Sequence, residues 1–259
     1  DANPDTAELA VAGFDNHLYY AWPMTRLVAL ASMLVAVHGP AIAARLRTEV
    51  PDASVVSIRL GQGTPLSIEE ASAASHRARM RYGIAADALV FGCYGGLSPD
   101  KRIPQVLNAF AATRAYVPGA HLLLVGSVPE HYDLLSDITR LDLSACVTVT
   151  GYLASDEAFT DGIAACDVAL NLRWPTAREV PGPWLRCLAA GKPTVVVDLA
   201  HLTDVPTIDP RTWRPQRVAS LGPLSDAVPS TPCAVAIDIL DEDHSLRLAM
   251  RRLGTDEVL

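Results

Sequence analysis

The sequence predicts an α/β protein built on a doubly wound parallel sheet, and two observations carry that expectation. From residue 89 onward, short β-rich apolar runs alternate with helical ones, which is the rhythm of successive βαβ units. Within that rhythm, the stretch from Arg173 to Asp198 joins a strand end, a polar loop, a helix start and a second strand. Ligands of open α/β sheets bind at such strand ends.

The elements follow in order. Residues 34–38 read as a short strand, 40–49 as an amphipathic helix with Pro40 in its first turn, and 55–60 as another strand, making one strand–helix–strand unit. Gly61-Gln-Gly-Thr-Pro65 is a hinge, and 67–82 a mostly polar helix rich in Ala and Arg. Strands are then expected at 89–93, 121–125, 146–150, 168–172 and 193–197, and helices at 103–113, 131–141, 156–165 and 182–190, the last closed by Gly191. Residues 199–232 are rich in Pro and loop-like, and 234–240 with 243–253 supply a last strand and helix. Right-handed crossovers would cover both faces of the sheet with helices.

Composition narrows the function. With 259 residues, 50% of them hydrophobic and 19% charged, the chain can bury a large core and exceeds a typical single domain. A formal charge of −8 argues against a nucleic-acid surface, which needs clustered Lys and Arg. The cysteines Cys93, Cys146, Cys166, Cys187 and Cys233 are widely spaced and lie mostly in apolar runs, so they read as reduced core residues and point to the cytoplasm. No apolar run approaches the about 20 residues that span a bilayer, and no signal peptide is evident. Neither zinc-ligand spacing nor a Gly-x-Ser-x-Gly nucleophile turn occurs, so no metal is expected.

Two local features carry candidate chemistry. Gly95-Gly96 follow an apolar strand run and make either a plain strand-to-helix turn or, with Ser-Pro-Asp-Lys101-Arg102 behind them, a phosphate loop. In the second reading glycine lets the backbone approach a pyrophosphate and Lys101 supplies a point charge; in the first, Lys101 is a solvated lysine at a helix start. Further on, the backbone N–H groups that open the helix at Gly182 offer an anion site, although Pro181 and Pro183 cannot donate.

The segment Glu179-Val-Pro-Gly-Pro-Trp-Leu-Arg-Cys-Leu-Ala-Ala-Gly-Lys-Pro-Thr-Val-Val-Val-Asp198 resembles the acidic loop and helix of retaining, nucleotide-sugar-dependent glycosyltransferases of GT-B architecture, the group 1 family of the glycogen synthase and sucrose synthase type. Val90-Phe-Gly-Cys-Tyr-Gly-Gly-Leu-Ser-Pro-Asp-Lys-Arg-Ile103 resembles the first strand, phosphate loop and helix of their Rossmann-like donor domain, and 118–126, 147–153 and 165–170 follow in the family's order. The resemblance implies a remnant of an N-terminal acceptor-binding domain at 1–60, a hinge and linker helix at 61–88, and a nucleotide-sugar donor-binding domain at 89–259, truncated at its end.

It also implies roles. Lys101 matches the family's pyrophosphate-binding lysine; an Arg often stands five residues earlier, where this chain has Gly96, leaving Arg102 or Arg173 to take its place. Glu179 matches the first acidic residue of a Glu-x7-Glu signature, beside the donor sugar, and Val180 and Gly182 would offer N–H groups to phosphate or sugar. At the second acidic position, which grips the ribose in relatives, stands Arg186; either ribose binding is remodelled or this side chain faces elsewhere. Gly151, Tyr152 and Leu153 resemble the segment that holds the nucleobase. The implied activity is transfer of a hexosyl group, with retention, from a nucleoside-diphosphate sugar to a carbohydrate or lipid-linked acceptor in bacterial polysaccharide synthesis, with Lys101 and Glu179 at the reacting centre and no metal or other cofactor. Peripheral contact with the inner membrane face would run through the absent half. The alternative is a non-catalytic nucleotide-sugar-binding or interaction module of the same fold.

Overall fold

The computed structural model describes residues 24–58, 60–61, 65–175, 182–197, 206–216 and 231–255. The chain divides into two compact units, 1–60 and 61–259. In the first, helix α1 (Thr25–Ala31) precedes strand β1 (Val35–Val37), helix α2 (Pro40–Glu49) and strand β2 (Val55–Ser57). The two strands pair in parallel, Val35 opposite Val55, and Ala43, Leu46 and Val55 form a small core beneath α2. Pro40 starts α2 as expected, since a first-turn residue needs no N–H partner. Helix α1 was not legible, because its apolar residues Leu27, Val28 and Leu30 are exposed and obey no buried stripe.

The second unit begins with helix α3 (Ile68–Tyr82), whose start is set by a capping box between Ser67 and Glu70 and whose end by Gly83 in the left-handed region. It continues through β3 (Val90–Tyr94), a 3-10 turn (Pro99–Lys101), α4 (Ile103–Thr113), β4 (His121–Val125), α5 (Leu134–Arg140), β5 (Val147–Val149), α6 (Asp156–Ala165), β6 (Val168–Leu170), α7 (Gly182–Ala189), β7 (Thr194–Val197), β8 (Thr207–Ile208), β9 (Ala234–Ile237) and α8 (Glu242–Gly254). Among the described residues these strands make one seven-stranded parallel sheet in the order β5-β4-β3-β6-β7-β9-β8.

Both faces are covered, as the alternation of side chains requires. Phe91, Cys93, Leu122 and Leu124 point to the face packed by α4, α5 and α8, where Phe110 meets Phe91 edge-on at 6.2 Å. Val90, Tyr94, Leu123 and Val125 point to the face packed by α3 and α6, and Trp184 of α7 packs with Val196, Ala234 and Ala236. The helix at 68–82 packs against α6, with Ala74, Ala78 and Arg79 buried and Arg77 forming a bidentate pair with Asp161.

One expectation is corrected. Within 199–232, read as loop throughout, Thr207–Ile208 form an edge strand on β9. Two residues are too few to show an alternating pattern, and a partner strand, not propensity, makes them extended.

At the amino edge of this sheet, Arg79 closes the ends of several elements. Its guanidinium donates to the carbonyls of Ala165 at 3.1 Å and of Ala86 and Ala88 at 2.9 Å, and to both oxygens of Asp167 at 3.1 and 3.0 Å. Asp167 in turn accepts from the Val90 N–H at 2.7 Å, at the start of β3.

Candidate functional site

At the carboxyl edge, β3 and β6 are neighbours, but the chain leaving β3 returns as β4 on one side while that leaving β6 returns as β7 on the other. The two loops diverge there, and such a switch point opens a crevice. After β3, Gly95 has φ 94°, and its N–H donates to the Val125 carbonyl at 2.9 Å. Its own carbonyl lies so close to Gly126 that a Cβ there would stand 1.8 Å away, so Gly126 is required for a close approach of two loops. Gly151, at φ 71°, bridges to Gly126 from the third loop.

Lys101 ends the 3-10 turn and reaches back over the glycine loop. Its Nζ is 3.6 Å from the place a Gly95 Cβ would occupy, and Pro183, in the first turn of α7, is 3.7 Å from the same point. Arg173, from the loop after β6, pairs with Asp100 at 3.6 Å, and the Trp174 N–H donates to the Asp100 carbonyl at 2.7 Å. Between them lies a cavity of about 10 Å³ lined by Tyr94, Gly96, Lys101, Asn171 and Arg173, with Cys93 at its floor; that is room for about one water. Burial pushes the Cys93 thiol up to about 12, against the opposing pull of the Lys101 charge. The pocket is therefore lined by two cations, Lys101 and Arg173, and a neutral thiol.

The other sequence-derived site residues are distributed as follows. Arg102, at φ 60°, is turned to the start of α8, where its guanidinium forms a two-point ion pair with Glu242; it does not line the cavity. Arg186 is turned to α6, donating to Asp156 at 2.9 Å and to Thr160 at 2.9 Å, with its guanidinium 4.6 Å from the Phe159 ring centre. Tyr152 is 79% exposed on the rim, while Leu153 packs inward against the core beside Val125. Gly182 begins α7. Glu179 and Val180 lie outside the described residues.

Sequence reasoning missed Asn171, Asp100 and Gly126. The signal for Asn171 was present as a single polar residue closing an apolar run, and it was absorbed into the strand at 168–172.

A protein-family model described as Glycosyl transferases group 1 matches residues 88–210, which contain this crevice. No curated protein sequence matches the chain. Among solved structures, it is similar to sucrose-phosphate synthase from Thermosynechococcus elongatus (19% identity, 89% of this chain and 51% of that one, TM-score 0.59). It is also similar to HepE of Anabaena in complex with UDP and glucose (17%, 96% and 62%, TM-score 0.58). A third is WaaG, a glycosyltransferase involved in lipopolysaccharide biosynthesis (11%, 98% and 66%, TM-score 0.62). At these identities the likeness is one of fold, the GT-B arrangement of Rossmann-like domains. The chain spans 51% to 66% of the length of these structures.

Proposed function

We propose that this chain is the donor-binding portion of a retaining group 1 glycosyltransferase, which takes a nucleoside-diphosphate sugar and passes the glycosyl group to an acceptor hydroxyl. The observation that carries the reading is the convergence of Lys101, Arg173 and the Gly95–Gly96 loop on the switch point of a parallel sheet, inside the segment that matches the family. HepE, of like fold, was solved with UDP and glucose.

The difficult step in such a transfer is departure of the diphosphate, so the groups that neutralise it matter most. Lys101 would meet the phosphates as a point charge. Arg173, held beside Asp100, would exchange that partner for a phosphate oxygen as the donor enters, and the amides that open α7, Pro183 excepted, would add the positive end of a helix. Glu179 would hold the sugar hydroxyls. In this scheme charge neutralisation falls to side chains and amides, with no assigned metal, and closure by an acceptor-binding domain completes the site.

A second reading, a nucleotide-sugar-binding module without transfer, is favoured by one observation: Arg186, at the position that grips ribose in relatives, is engaged with Asp156 and Thr160. Calorimetric titration with UDP, GDP, ADP and their glucose or mannose conjugates separates the readings from no binding at all. One diphosphate should bind, Lys101→Ala should weaken it about tenfold to a hundredfold, and Glu179→Ala should remove the extra affinity that the sugar brings. A folded chain that binds none of these at millimolar concentration would sink the donor-site reading. Glycosyl transfer to an acceptor by the full-length protein then decides between enzyme and module.

A further inference from the structure

Asn171 stands at the end of β6, where its N–H donates to the Val195 carbonyl at 2.9 Å and where its neighbours Leu170 and Leu172 are buried in the opposite face. Alternation turns its side chain to the side of Tyr94 and Cys187, into the cavity that Lys101 and Arg173 line. Its amide nitrogen is shut off from solvent and meets no hydrogen-bond partner of acceptable geometry. The Cys187 thiol is within its reach, but sulfur is a weak acceptor. Burial raises that thiol to about 12, so it stays neutral.

A leucine or valine would fill this place without leaving a buried donor unmet, and an unmet donor costs stability that the fold has no need to lose. The cavity beside the Asn171 amide has room for one water or for one oxygen of a ligand, and a buried donor next to two cations suits an anionic oxygen. We propose that Asn171 is a further donor-binding residue, whose carboxamide donates to an anionic oxygen of the ligand held by Lys101 and Arg173 and so fixes where the phosphates lie. This rests on the donor-site reading above and adds to it a residue that discriminates by geometry, because a carboxamide on a rigid strand end allows little adjustment.

The test compares Asn171→Leu with Lys101→Ala and wild type, measuring melting temperature and calorimetric affinity for the nucleoside diphosphate that binds best among UDP, GDP and ADP. Expected are a melting temperature for Asn171→Leu no lower than wild type and an affinity about tenfold weaker. Stability and binding would move in opposite directions, which a purely structural asparagine would not produce. Affinity within twofold of wild type in Asn171→Leu, while Lys101→Ala loses binding, overturns the inference and leaves the donor site standing. Affinity unchanged in both variants, or no binding by wild type, overturns the donor site and the inference with it. If the leucine variant fails to fold, Asn171→Ala is read in the same way.

Discussion

The two edges of the seven-stranded sheet treat polar groups in opposite ways. At the amino edge, one buried arginine is saturated: Arg79 serves four carbonyls and Asp167, and Asp167 also accepts from the start of β3. At the carboxyl edge, between β3 and β6, Lys101 and Arg173 gather over a glycine loop, and the Asn171 amide is left without a good partner. Hydrogen bonds inside a protein stabilise only when both partners are met, and a group kept unmet lowers stability while leaving something for a ligand to complete. The amino edge is therefore where stability resides, and the carboxyl edge is where the proposed donor site lies.

Arg79→Ala would test that division most severely. It strands the Asp167 carboxylate and four carbonyls, and the expected loss is about 3 kcal/mol, because Asp167 remains partly in contact with water. In a chain of this size that lowers the melting temperature by about 6–12 °C. Diphosphate affinity, measured well below the transition, should not change; a loss of affinity matching the loss of stability would mean that the edges are not separable.

Gly96→Arg sharpens the comparison from the other side. Nothing lies within 4 Å of a Cβ at Gly96, so the side chain can be added without clash. It restores a cation five residues before Lys101, and diphosphate affinity should rise about threefold to tenfold with melting unchanged. An unchanged affinity would show that the phosphates do not lie over this loop.

The smallest effect concerns the thiols. Burial pushes Cys93 and Cys187 up to about 12 and Cys166 to about 11, Cys146 is also buried, and Cys233 is exposed. At pH 8 the native protein should therefore show one thiol reacting quickly with Ellman's reagent, that of Cys233. Fast reaction of a second, Cys93, would mean that the crevice opens to water through the loop latched by Trp174 and Asp100.

Periodic elements were the legible part. Helices α2, α4 and α6 and strand β4 lie where apolar spacing and Pro40 put them, since these signals act within one or two turns of chain. The glycines at 95 and 96 and the charge at Lys101 were legible for the same reason. What the sequence by itself determined is thus the α/β rhythm, the strand ends that carry the crevice, and the chemical types offered there.

Tertiary structure alone decided the direction of each side chain. Arg79, Arg102, Arg173 and Arg186 look alike in sequence, yet one ties the amino edge, one holds Glu242, one lines the crevice and one stacks on Phe159. Edge strand β8 exists through its pairing with β9, and the need for glycine at 126 comes from a carbonyl 31 residues earlier in the chain, that of Gly95. Periodicity and capping are local, whereas the partner of a long cation or a close backbone approach is set by which segments the fold brings together.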